Sequence, residues 1–165
     1  MTPIFPINHA ERKHGKKTAD GKVEKYIVFN LGKDSYVTVA PDVLEVLMIP
    51  ELLKVDNSPI PLEGAANIRG NVIPVIDISK ILGVDSPAGS NPLQRLVVFQ
   101  SRGKPVGLLA DGVDHRLVEI PLSIVRNKDD QGFFEFSDAK YKLFVIEDVI
   151  TKADQKKLDK LQKAL

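Results

Sequence analysis

The chain has 165 residues, of which 43% are hydrophobic and 27% are charged, and its formal net charge is +1. This length fits one ordinary domain or two small units that share a core. Because the chain contains no cysteine, disulfides, thiolate metal sites and thiol catalysis are excluded. No apolar stretch approaches the ~20 residues of a membrane helix, so we expect neither export nor insertion into a membrane.

Charge is distributed unevenly along the sequence. Residues 1–24 carry five cations against three anions and residues 151–165 carry five against two, which leaves the segment 25–150 at −4. Basic ends can contact nucleic acid or anionic lipid, or they can be solvated tails that aid solubility. We favour solvated tails, and we predict a disordered leader over 1–24 because that segment is polar and shows no apolar period.

The ordered part of the chain begins with short strand patterns. Residues 26–31 and 35–40 are dense in β-forming residues, and the turn at 32–34 between them predicts a hairpin. Residues 41–47 are predicted as a short helix, because proline suits the first helical turn. A strand at 72–76 is interrupted by a proline, which implies an edge strand or a bulge.

The second half repeats this style. Residues 78–83 predict one or two helical turns that end at a glycine. The segment 84–93 has the composition of a loop. Five further strands are predicted, at 94–100, 105–110, 116–120, 132–136 and 141–146. A final helix is indicated by a capping box of Thr151 and Asp154 and by leucines at 158, 161 and 165 on one face.

A shift of 70 residues superposes the two predicted hairpins without a gap. The matched positions are 27–30 with 97–100, Ala40 with Ala110, and Val43 with Val113. Two hairpins can resemble each other by chance, but we interpret the match as a structural duplication that gives two small, related β-barrels. Partners usually dock at a seam such as the one between two barrels.

Candidate catalytic and metal-binding residues do not converge. His9 and His14 are five residues apart in the leader, unlike a helical metal pair, and His115 is interpreted as a surface turn residue. Asp77 and Asp111 each follow a strand, where a helix cap and a turn explain them better than a phosphoacceptor role. Phosphate-loop and serine-nucleophile motifs are missing, so we predict that the protein is not an enzyme.

The segment 61–77 is the most informative part of the sequence. Gly64 and Gly70 each permit a turn or a close backbone approach, and Asn67 can hydrogen-bond its own backbone in such a turn. Arg69 is then expected on a constrained, exposed bend. A rigidly presented arginine can bind a partner's carboxylate or carbonyl groups, or it can tie two strands together. The residues alone leave both roles open.

Residues 67–70 read Asn-Ile-Arg-Gly, and residues 72–77 read Val-Ile-Pro-Val-Ile-Asp. This order resembles the signature Asn-Leu-Arg-Gly, then Ile-Pro-Val-Val-Asp-Leu, of the CheW-like domain family. Other family motifs are resembled, in order, by residues 31–36, 43–47, 58–64 and 106–113, so the likeness extends from about Lys25 to Ile150. Thr38 departs from the family, which usually has an apolar residue there, and Asp56 stands where the family often has a proline.

The resemblance implies a mainly β fold: two five-stranded SH3-like β-barrel subdomains that share a core, with short helices and a C-terminal helix. The organisation is then a basic leader over 1–24, a CheW-like domain over 25–150 and an amphipathic helix over 151–165. It also implies a non-catalytic cytoplasmic adaptor, without cofactor or metal, that bridges chemoreceptor tips to the regulatory domain of a CheA-type histidine kinase. Arg69, Asn67, Gly70 and Glu45 are the implied receptor-binding residues, whereas kinase contacts are not assigned.

Two rival functions stay open at this point. The same fold can serve as an adaptor in a type IV pilus or other chemosensory-like array, and basic ends that recruit a surface-motility partner would favour that pathway. A more distant alternative is a small β-barrel that binds nucleic acid through its basic termini. It predicts binding with a steep dependence on salt, and we expect no nucleic-acid partner.

Overall fold

The computed structural model describes residues 3–6, 17–18, 21–84 and 91–164. The strands are β1 Pro3–Pro6, β2 Lys17–Thr18, β3 Gly21–Leu31, β4 Asp34–Val39, β5 Val43–Leu47, β6 Leu52–Leu53, β7 Leu62–Ile68, β8 Asn71–Ile76, β9 Arg95–Ser101, β10 Lys104–Ala110, β11 Gly112–Val113, β12 Val118–Pro121, β13 Phe133–Phe136 and β14 Ala139–Leu143. The helices are α1 Ile78–Leu82, α2 Leu122–Arg126, α3 Ile146–Val149 and α4 Lys152–Ala164, and a 3-10 turn spans Ala40–Asp42.

These strands form two sheets. The first sheet has the order β1-β5-β9-β10-β8-β7-β6, and the second has the order β11-β3-β4-β14-β13, with β2 and β12 also paired to β3. Neighbouring strands are antiparallel except for β8 with β10 and β4 with β14, which are parallel. The prediction of a mainly β protein with two barrel subdomains and short helices is therefore confirmed.

The two sheets exchange strands. Strand β5 follows the β3–β4 hairpin in the chain but pairs with β9 of the other sheet, where Val43 lies opposite Phe99. Strand β11 follows the β9–β10 hairpin but pairs with β3, where Val113 lies opposite Phe29. Val43 and Val113 are 70 residues apart, and so are Phe29 and Phe99, so the two exchanged pairings are equivalent. The strand pairing therefore confirms the predicted duplication.

The exchange places a central core between the sheets. Side chains from β3 and β4 meet side chains from β5, β8, β9 and β10 in one buried cluster. Successive residues of β3 and β9 point to opposite faces of their sheets, and both faces are buried. Ile27 and Phe29 enter the central cluster while Tyr26 and Val28 enter a separate cluster within the second sheet. This double burial explains the continuous apolar runs at 26–29 and 96–99.

The terminal signals of two helices are confirmed. The carboxylate of Asp77 accepts the backbone N–H of Lys80 at the start of α1, and Gly83 ends this helix with a φ of 68°. The N–H of Asp154 donates to Oγ1 of Thr151 at 3.1 Å, and the N–H of Thr151 donates to Oδ2 of Asp154 at 3.3 Å. This reciprocal pair is the predicted capping box of α4.

The predicted helix over 41–47 is wrong. Pro41 lies within the short 3-10 turn Ala40–Asp42, and Val43–Leu47 forms β5. Because β5 is hydrogen-bonded to β1 on one side and to β9 on the other, tertiary pairing decides its conformation.

The edge position proposed for the strand containing Pro74 is also wrong, whereas the bulge alternative is correct in part. Strand β8 lies inside its sheet, between β7 and β10. The parallel pairing with β10 uses Val75 and Ile76, so it does not require the N–H that Pro74 lacks. The register irregularity lies on the partner strand β7, between Leu62 and Gly64.

Parts of the predicted leader and of the predicted strand at 141–146 differ in the structure. Pro3–Pro6 pairs with β5. Strand β3 begins at Gly21, where its first two residues pair with β2 and the next four with β12, so order begins before Lys25. Most other leader residues, including both histidines, lie outside the described residues.

The last hairpin strand ends at Leu143, and Ile146 starts α3. In α4, Leu158 is buried and Leu161 is partly buried, whereas Leu165 is outside the described residues.

Thr38 is a polar residue in the apolar core. It is fully buried in β4, and its Oγ1 has no hydrogen-bond partner among the described residues. The 70-residue shift matches it with Leu108, an apolar member of the central core. A buried hydroxyl without a partner costs free energy.

We expect Thr38→Val to raise the free energy of unfolding by about 1 kcal/mol, because valine has a similar shape and removes the unpaired hydroxyl. Thr38→Ser is the control: it keeps the hydroxyl and removes a buried methyl group, so stability falls by about 1 kcal/mol. Urea unfolding followed by circular dichroism measures both. A valine variant less stable than wild type would contradict this account.

Candidate functional site

The candidate site is built on the turn between β7 and β8. Ile68 pairs with Asn71, so Arg69 and Gly70 form a two-residue loop, and their φ angles are 52° and 86°. Positive φ at both central residues defines a type I′ turn, which matches the twist of the flanking strands. Oδ1 of Asn67 accepts the N–H of Gly70 at 3.0 Å. Asn67 and Gly70 therefore fix the backbone from which the Arg69 side chain extends.

The position of the hairpin depends on a second glycine. Gly64 has a φ of 150°, and a Cβ atom built on it would lie 2.6 Å from the carbonyl oxygen of Leu53 in β6. Only glycine allows β6 to approach β7 this closely. The two glycines of the sequence segment thus serve different ends: Gly70 closes the turn, and Gly64 packs the hairpin against its neighbour.

Arg69 forms an ion pair with Glu45. Nη2 of Arg69 donates to Oε1 of Glu45, which lies on β5. The Arg69 side chain is 52% exposed to solvent, whereas the Glu45 side chain is 12% exposed. Strand β5 is not adjacent to β7 or β8 in the sheet, so this contact spans the curved sheet of the first barrel.

The structure thus brings together all four residues that the sequence nominated. Arg69 does tie two parts of the first barrel together, as the structural alternative required. Its side chain nevertheless remains half exposed, on a backbone held by two hydrogen-bonded strands. A receptor-binding role for Arg69, Asn67, Gly70 and Glu45 stays a prediction.

The sequence predicts a tight turn at 101–104, but the role of the arginine in it was missed. Arg102 and Gly103 join β9 to β10 with φ angles of 48° and 79°, which is the same turn type. The Arg102 guanidinium donates to the carbonyl oxygen of Ile150 and, at 3.0 Å, to that of Glu147. Arg102 thereby holds the end of α3. The repeated Arg-Gly dipeptide between two strands was the signal available in the sequence.

The carboxylates considered for chemistry are engaged in structural contacts. Asp77 caps α1 and also accepts from Oγ of Ser79 at 2.7 Å. Oδ2 of Asp111 accepts the N–H of Gly32 at 2.7 Å, in the turn between β3 and β4. Within residues 21–84 and 91–164, no group of three or more histidine, aspartate or glutamate side chains is placed to hold a metal ion.

The chain thus folds as two SH3-like β-barrels that share a core, and an ordered arginine turn projects from the first sheet. The sequence model of the CheW-like domain matches residues 25–132. The chain therefore belongs to the CheW-like domain family.

Three similar proteins carry related descriptions. The chemotaxis protein CheW of Thermotoga maritima is 30% identical over 123 residues, which cover 70% of this chain and 78% of the relative. The probable chemotaxis protein CheW of Rhizobium etli is 33% identical over 87 residues, and this match spans only 56% of the relative's length. The crystal structure of the scaffolding protein TtCheW from Thermoanaerobacter tengcongensis superposes with a TM-score of 0.69 at 24% identity. The structural match covers 79% of this chain and 94% of the TtCheW chain, so the two proteins share a fold.

Among the residues that the structure describes, no helix is both long enough and apolar enough to cross a membrane.

We expect a double-mutant cycle of Glu45→Gln and Arg69→Gln to give a coupling energy of roughly 0.5 to 1 kcal/mol in unfolding experiments. The partial exposure of Arg69 limits the strength of the pair. The coupling should shrink in 1 M salt, because exposed charges are screened. Purely additive effects at low salt would show that the ion pair does not hold the turn to β5.

Proposed function

We propose that this protein is an adaptor that couples the cytoplasmic signalling tips of chemoreceptors to a CheA-type histidine kinase, without catalysing a reaction. Membership of the CheW-like domain family supports the adaptor class. The single observation on which the receptor contact rests is the Arg69 turn, where a half-exposed guanidinium is held by the type I′ backbone and by Glu45.

The geometry of this turn suits recognition. Ordering a long side chain on binding costs conformational entropy, and here part of that cost is already met by the fold. A guanidinium carries five N–H donors in a planar fork, more than the single contact to Glu45 uses. The remaining donors fit carbonyl or carboxylate oxygens on a partner's helical tip.

The proposed setting follows from the same partners. A protein that binds receptor tips and the kinase regulatory domain would work on the cytoplasmic side, at membrane-associated receptor arrays. It would contact other proteins there and would need no cofactor. Asp77 and Asp111 support the non-catalytic part of this proposal, because their carboxylates are used in a helix cap and a turn.

Co-sedimentation of the purified protein with a receptor cytoplasmic fragment and the kinase tests this function. We expect the wild type to join the complex and Arg69→Ala to weaken its binding roughly tenfold or more, since a charge-assisted hydrogen bond is lost. Arg69→Lys should bind at an intermediate level, because it keeps the charge but loses the fork. Thermal unfolding of each variant confirms that it is folded.

Arg116→Ala is the matched control. Arg116 is a highly exposed arginine whose ion pair is with the nearby Asp114, and its removal should leave co-sedimentation unchanged. If folded Arg69→Ala binds like wild type, the assigned site is wrong. If the wild type fails to join its cognate receptor and kinase, the coupling function is wrong, and components of a type IV pilus array become the next partners to test.

A further inference from the structure

The C-terminal helix α4 is firmly seated on the first sheet. Leu158 is 2% exposed and belongs to the central core. Oε1 of Gln155 accepts from the buried Oγ of Ser101 at 3.1 Å. Near its other end, Nε2 of Gln162 donates to the carbonyl oxygen of Val72 at 2.7 Å. These contacts fix the rotation of the helix about its axis, so its outer side chains have defined directions.

The outer surface of α4 carries a lysine stripe, defined as Lys152, Lys156, Lys160 and Lys163. All four are exposed. At 3.6 residues per turn they fall within an arc of about 80°, away from the direction of Leu158. The stripe contains no aromatic or large apolar side chain.

Both carboxylates of α4 serve contacts within the protein. Asp154 belongs to the capping box with Thr151. Asp159 lies 3.0 Å from Nζ of Lys104, and the hydrogen bond from Lys104 lowers the pKa of its carboxyl group, with a smaller contribution from Lys163. Asp159 therefore borders the stripe beside Lys163 but is shared with Lys104, and the stripe keeps an excess of positive charge.

The local electrostatics of the stripe are mixed. Lysines four residues apart repel each other, and Lys152 places a cation in the first turn, where the helix dipole favours anions. Asp154 in the first turn and Lys163 in the last turn are favourably placed. The tertiary contacts of α4 therefore do most to fix the position of the stripe.

The C-terminal end of the stripe also lies close to the candidate site. Val72, which accepts the hydrogen bond from Gln162, is three residues after Arg69 along the chain. At the rise of a β-strand this separation is about 10 Å. The C-terminal end of α4 is therefore a neighbour of the Arg69 turn.

We infer that the lysine stripe is a second contact surface, which attracts an acidic polypeptide face of the partner that docks at the Arg69 turn. This inference rests on the proposed function. Lysine ammonium groups on flexible stems act as point charges and do not require the paired geometry that arginine favours. They suit a partner face with several carboxylates. Without aromatic side chains the stripe lacks a platform for stacked bases, and without large apolar ones it lacks a membrane-inserting face.

The test compares two triple variants with equal loss of charge. Lys152→Gln, Lys156→Gln and Lys160→Gln together remove three of the four charges of the stripe, and glutamine keeps helix propensity. The control variant combines Lys33→Gln, Lys54→Gln and Lys128→Gln, three exposed lysines outside α4. Association rates with a purified chemoreceptor cytoplasmic fragment are measured by stopped-flow over a range of salt concentrations, after thermal unfolding has shown both variants to be folded.

We expect the stripe variant to associate roughly tenfold more slowly than wild type at low salt, and the difference to disappear at high salt, because steering by exposed charges is screened. The control variant should associate at the wild-type rate. Equal slowing of both variants, or no slowing of either, would overturn the inference. Stripe-dependent binding to a 20-base-pair DNA duplex, with unchanged binding to the receptor fragment, would overturn it in favour of a nucleic-acid partner.

The outcomes separate this inference from the function on which it rests. If the wild type does not bind the receptor fragment at all, the proposed function fails and the inference fails with it. If the wild type binds, Arg69→Ala weakens binding and the stripe variant matches the control variant, the inference alone is overturned.

Discussion

The contact between Phe29 and Phe99 in the central core is the constraint on which the rest of the structure depends. Their rings meet edge-to-face with centroids 6.1 Å apart, and Phe144 packs against them at 5.2 and 5.4 Å. Each phenylalanine lies opposite the strand that the other half of the chain contributes: Val113 pairs with Phe29, and Val43 pairs with Phe99. Neither barrel is complete without a strand from the other half, so the two subdomains form one folding unit despite their separate inner clusters.

This constraint extends to the candidate site. Glu45 lies on β5, the exchanged strand, while Arg69 lies on the hairpin that continues the first sheet. The strand exchange sets the position of β5, whereas local turn chemistry sets the position of the β7–β8 hairpin. The ion pair joins these two segments. The lysine stripe depends on the same core, because α4 is anchored in it by Leu158. The surfaces proposed for partner binding are therefore fixed relative to each other by buried contacts.

The sequence predicts features that short-range chemistry determines. The hairpins follow from β-forming residues beside turn residues, and α1 follows from Asp77 and Gly83 at its ends. The prediction for 43–47 was wrong because Val-Leu-Glu-Val-Leu suits a short helix as well as a strand, and pairing with the distant strand β9 decides between them. Strand β8 was misplaced for a similar reason, since its parallel neighbour tolerates Pro74.

The exposed bend at Arg69 could be predicted from the glycines, and the family resemblance nominated Glu45. Their ion pair and the grip of Arg102 on α3 could not be predicted, because spacing along the chain does not reveal which strands lie close in space.

The pairing of Arg69 with Glu45 has a consequence for how the proposed adaptor meets a partner. Because Glu45 offsets the charge of Arg69, the turn offers oriented hydrogen-bond donors but little net positive charge. Long-range attraction decays within about 10 Å at ordinary salt and depends on net charge, so it has to come from a surface with an excess of cations. The lysine stripe is such a surface, and Gln162 holds its C-terminal end beside the hairpin that carries the turn. Under the proposed function, the stripe would set how fast an acidic partner arrives, and the arginine fork would set how long it stays. Such a division suits an adaptor in an array, where contacts must form quickly and remain reversible.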